Sequence, residues 1–131
     1  MVERIQRKNS TGFFKNHRTM SELQNIRNLI ENKKLREADL ALRKLGSEYL
    51  ENAEYLILRA IMFKIQKNYY LSIDTLLIAS EFEKKEEIYR LLSEIYSYLE
   101  NDELAKKLSD KKTAHSALTE LKNEMSGIYR K

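Results

Sequence analysis

From Ser21 to the end of the chain, apolar residues recur three or four positions apart, and the pattern is interrupted only by short polar breaks. These fall at 32–34 (NKK), 51–53 (ENA), 67–68 (KN), 83–87 (EKKEE), 100–102 (END) and 110–112 (DKK). Spacing of this kind places apolar side chains on helix faces and predicts seven helices separated by tight turns. The chain has no proline and no cysteine and only three glycines. It therefore has no disulfide frame, no thiolate metal site and little of the turn chemistry that β-hairpins need. The expected fold is all-α. Its antiparallel helical hairpins are expected at about 21–51, 53–83 and 86–110, with a closing helix at about 113–129. With 131 residues, 42% of them hydrophobic, this suits one helical domain over 21–131.

The charge is unevenly placed. Residues 1–20 hold five of the 24 basic residues and one of the 20 acidic ones, which accounts for the whole net charge of +4. The helical body is neutral, which argues against a duplex-binding face. Residues 1–20 lack a helical period and contain the polar run NSTG, so they read as a flexible basic arm. Arg4, Arg7, Lys8, Lys15 and Arg18 are its charges, and Phe13 and Phe14 its bulky anchors. Nucleic acid is open to this chain only through that arm. Ser21 followed by Gln24 forms a capping-box pattern that starts the first helix.

No apolar run approaches the roughly 20 residues that span a bilayer, and the first residues lack the apolar stretch of a secretory signal. The expectation is a soluble cytoplasmic protein with no membrane partner. The two histidines, His17 and His115, have no ligand at metal spacing. The chain has no phosphate-binding glycine loop and no nucleophile elbow. No catalytic residue, metal or cofactor is expected, and the carboxylates around Glu81–Glu87 read as a solvated connection.

The hairpins align on one another with a period of about 34 residues. In the middle copy the recurring large and small positions are Leu56, Ala60, Phe63, Tyr69, Ser72, Leu76 and Ala79. The first copy has Glu22, Ile26, Leu29, Leu35, Ala38, Leu42 and Leu45 in those positions. The third has Tyr89, Ser93, Tyr96, Asp102, Ala105, Ser109 and Lys112. Over residues 19–119 this pattern resembles the tetratricopeptide repeat, although the family's turn glycine and closing proline are absent. The resemblance implies a short superhelix of stacked hairpins, ended by a capping helix with Ala114, Leu118, Leu121, Met125 and Ile128 on one stripe. Small residues at Ala38, Ser72 and Ala105 are expected where paired helices cross closely.

The helix from residue 53 to 67 is apolar on two faces, one with Leu56, Ala60 and Phe63 and another with Ile57, Ile61 and Ile65. A helix of that kind is covered on both sides. In the tetratricopeptide register its second face lines a concave groove, joined by Leu23, Arg27 and Ile30 from the first hairpin and Arg90, Glu94 and Tyr98 from the third. Lys64 joins the charged rim. The groove is expected to hold an amphipathic helix or extended segment of a protein partner. A second copy of the chain, or the chain itself, is the other candidate occupant. The functional expectation is a non-enzymatic scaffold, adaptor or dedicated chaperone. The alternative is a structural subunit of a larger assembly, including a nucleoprotein one, tethered by the arm.

Overall fold

The computed structural model describes residues 22–130, with side chains as far as Glu124. The arm residues Arg4, Arg7, Lys8, Phe13, Phe14, Lys15 and Arg18, the cap at Ser21, and the side chains of Met125 and Ile128 lie outside the described residues. Among those described, all regular structure is helical and no strand occurs. The chain falls into two compact units, Met1–Gly46 and Ser47–Lys131.

In the first unit, α1 covers residues 22–31 and buries Leu23, Ile26 and Ile30 along one stripe. It turns sharply into α2, Leu35–Leu45, which buries Ala38 and Leu42. Gly46, at φ 75°, takes the chain out of α2. The helix therefore stops short of the break expected at 51–53, because this left-handed backbone favours glycine and ends the helical ladder. The short 3₁₀ turn Ser47–Tyr49 opens the second unit.

That unit contains α3 (Ala53–Ile65), α4 (Tyr69–Phe82), α5 (Glu86–Tyr98), α6 (Asp102–Ser109) and α7 (Ala114–Arg130). The Asn52 side chain caps α3 by accepting the Tyr55 amide at 2.9 Å, and Asn101 caps α6 by accepting the Leu104 amide at 3.2 Å. Such caps satisfy amides that the helix itself leaves unpaired. α3 packs along α4 and α5 along α6, while α5 also lies against both α3 and α4. α7 packs on α6, burying Ala114, Ala117, Leu118 and Leu121, and Lys122 on α7 pairs with Glu81 on α4.

Three turns share one backbone geometry. Lys33, Lys67 and Glu100 adopt φ of 64°, 63° and 63°. In each turn the next residue's amide reaches back five positions: Lys34 to the Leu29 carbonyl at 2.8 Å, Asn68 to Phe63 at 2.8 Å, and Asn101 to Tyr96 at 2.9 Å. The left-handed residue bonds three positions back in every case, to Ile30, Lys64 and Ser97. This is the Schellman arrangement, which satisfies carbonyls at a helix end. A lysine or glutamate occupies the position where glycine is preferred.

At the helix crossings the small residues do what their size suggests. The Ser72 hydroxyl donates to the Ala60 carbonyl, and the Ser93 hydroxyl to the Ala105 carbonyl, both at 2.7 Å. Ala60 and Ala38 are fully buried, and Ala105 nearly so.

Candidate partner-binding cleft

The charged face of α5 follows from its buried one. Ile88, Leu91, Leu92 and Ile95 take the inner side, so Glu86, Arg90 and Glu94, four residues apart, line the outer side, with Tyr98 completing the row. This row borders a cleft of about 660 Å³, within the range of ligand and peptide sites. α5 also contributes Tyr89 and Ser93, and α6 contributes Leu108 and Ser109. Lys111, Ala114 and His115 close the far end. Past Ser93, Glu94 and Ser109 the cleft continues into a second depression of about 500 Å³, bounded by Ser97, Tyr98, Asp102, Ala105 and Lys106. Buried Leu108, Ala105 and Ala114 lie at its base, and charges stand around the edge.

Four of those charges, Glu86, Arg90, Glu94 and Lys111, are held in ion pairs. Glu94 accepts Lys64 at 2.9 Å through Oε1 and the Tyr98 hydroxyl at 3.2 Å through Oε2. The Tyr98 ring stacks on Tyr69, with centroids 5.6 Å apart. The adjacent Glu94 carboxylate, through its charge and its hydrogen bond, raises the Tyr98 phenol above its ordinary value, because a phenolate there would face a like charge. Arg90 pairs with Glu87 at 3.4 Å and Lys111 with Glu86 at 3.8 Å. The Lys64 side chain is 18% exposed, so its pair with Glu94 is the least solvated at this edge.

Of the residues expected in the groove, Lys64, Arg90, Glu94 and Tyr98 come together here. Ile61 is half-buried on α3, and Ile65 is exposed. Three assignments need correction. Ile57 is fully buried, Leu23 is 2% exposed and Ile30 9%, so all three are packed side chains with no surface to offer a partner. Arg27 is half-buried in the first unit. The two-faced pattern of α3 predicts one core face and one groove face, but Tyr55, Leu56, Ile57 and Leu58 are all buried. The core surrounds the first half of that helix.

Sequence reasoning missed Glu86, Tyr89, Ser93, Leu108, Ser109, Lys111, Ala114 and His115 as cleft residues. Glu86 was within reach, since it extends the Arg90, Glu94 and Tyr98 row by one turn. The residues from α6 and α7 carry no such signal, because only packing brings those helices to α5. Among the described residues no group of three or more His, Asp or Glu side chains could hold a metal ion, and no helix is long and apolar enough to cross a membrane. Comparison with protein-family models, with curated proteins and with solved structures finds no match to this chain.

Proposed function

We propose that this chain is a non-enzymatic protein-interaction module, a scaffold, adaptor or dedicated chaperone, that holds an apolar helix or extended segment of a partner protein in the α5–α6 cleft. The observation that carries this reading is the cleft's make-up. Its base is formed by Leu108, Ala105 and Ala114, and Glu86, Arg90, Glu94 and Lys111 at its edge are engaged in ion pairs. An apolar base takes a partner's side chains, and a charged edge sets register and orientation. The three Schellman turns, spaced 34 and then 33 residues apart, support the reading of the chain as tetratricopeptide-like repeats, a class built to present such surfaces.

The test is a photo-crosslinking amino acid placed at Ser97 in the cleft and, as a control, at exposed Lys44 on α2, with the protein expressed in its source cells. The expected result is a crosslink from position 97, and none from position 44, to an apolar segment of one protein. Identical products from both positions, or none from 97, would reject the reading.

A further inference from the structure

We infer that the outer face of α2, with the turn before it, is a contact for single-stranded nucleic acid, held through its phosphates. The unit boundary divides the charge of the chain. Met1–Gly46 holds 11 basic and five acidic residues, a net +6, whereas Ser47–Lys131 holds 13 basic and 15 acidic ones, a net −2. The neutrality of residues 21–131 is therefore an average, since residues 21–46 hold six basic and four acidic residues. Lys33, Lys34, Arg36 and Lys44 are exposed, and none has an ion pair among the described residues. Arg43 is paired with Asp39 at 3.2 Å, yet its side chain is still 71% exposed. Arg36, Leu40 and Lys44 sit at i, i+4 and i+8, a straight row about 12 Å long. Glu37 is the acid on the flank of that row.

These cations do not serve the helix that carries them. Lys34 precedes α2 and makes no side-chain cap, and Arg36 lies in the first turn. Two positive charges thus stand at the positive end of the helix dipole, where they cost stability. A regular polyanion fits such a surface, because each free cation that meets a phosphate releases a bound counterion and no shaped pocket is needed. An acidic protein segment has a lower charge density and releases fewer. A bilayer contact calls for several apolar residues beside the cations, and on α2 the large apolar side chain exposed is Leu40. A duplex needs a denser basic face than this. Residues 1–20, with their net +4, continue the same sign along the chain.

Fluorescence anisotropy of a labelled oligothymidylate, titrated with the full chain between about 50 and 200 mM salt, tests this. The expected result is binding that weakens linearly on logarithmic axes as salt rises. In the triple variant Lys34→Ala, Arg36→Ala, Lys44→Ala that slope should shrink by about 2, since each phosphate contact on a single strand contributes roughly 0.7. The thermal melt of this variant should be retained, whereas Lys84→Ala with Lys112→Ala, in the second unit, should leave binding unchanged. An unaltered slope in the triple variant would overturn the proposal, as would no binding at the lowest salt. Polyglutamate that displaces the labelled strand as well as unlabelled oligothymidylate does would assign the face to an acidic protein and overturn it. Phosphatidylserine vesicles bound in preference to the oligonucleotide would assign it to a bilayer, with the same consequence.

Discussion

Ser72 and Ser93 make the same hydrogen bond from opposite partners of a helical pair. Ser72, on the second helix of its hairpin, donates back to Ala60, whereas Ser93, on the first helix, donates forward to Ala105. Each bond is 2.7 Å long and spans twelve residues. Alanine faces serine at both crossings, with the two residue types exchanged between the helices. The crossing requires two small side chains and one hydroxyl to bridge the backbones, whichever helix supplies it.

Enlarging either alanine should therefore be costly. Ala60→Leu and Ala105→Leu are expected to lose about 1–3 kcal/mol each through overpacking, while Glu83→Ala, at an exposed helix end, should lose little. Urea denaturation midpoints at constant m-value provide the comparison. Equal, small losses at all three positions would show that the crossings are not close-packed.

The turns hold an improvement in reserve. Lys67 lies at φ 63°, where a Cβ is disfavoured by roughly 1 kcal/mol and glycine is the preferred residue. Lys67→Gly should raise the thermal midpoint, and Lys67→Val should lower it because a β-branched side chain tolerates that backbone worst. A drop in midpoint for the glycine variant would mean that the Lys67 side chain contributes more than its backbone strain costs.

Ile57 and Ile61 sit four residues apart on α3 and should respond differently to truncation. Ile57→Ala removes a fully buried side chain and is expected to cost about 2–5 kcal/mol. Ile61 is half-buried, so Ile61→Ala should cost clearly less. Comparable losses in chemical denaturation would place Ile61 in the core as well.

Tyr96 should give stability a limit in base. Burial first, and then the charge of Glu124, push its phenol up to about 12 from an ordinary 10. A group whose folded value is raised stabilises the fold fully below its unfolded value and loses that contribution as pH rises through the folded one. Stability should accordingly fall between about pH 10 and 12, and Tyr96→Phe should flatten that part of the curve. Absorbance of phenolate during a base titration, with denaturation followed in parallel, measures both. Ionisation of Tyr96 at its ordinary value would contradict the burial described for it.

Local sequence alone determined the helical class, most of the breaks and the places where small residues occur. Helix period, polar breaks and the demand for small side chains at a crossing are short-range properties written into residues three to twelve apart. The row of Arg90, Glu94 and Tyr98 was legible for the same reason, since it follows from α5's own period. Which apolar residues are covered depends instead on how the helices pack. Ile57 and Leu71 look equally exposed or equally buried in a hydropathy pattern, yet the first is fully enclosed and the second is 44% exposed. The difference lies in which neighbouring helix reaches each face. Likewise Leu108, Ala114 and His115 meet α5 across the cleft because α6 has just eight residues and the chain then turns back into α7. That juxtaposition depends on packing between helices, and no spacing within one helix encodes it.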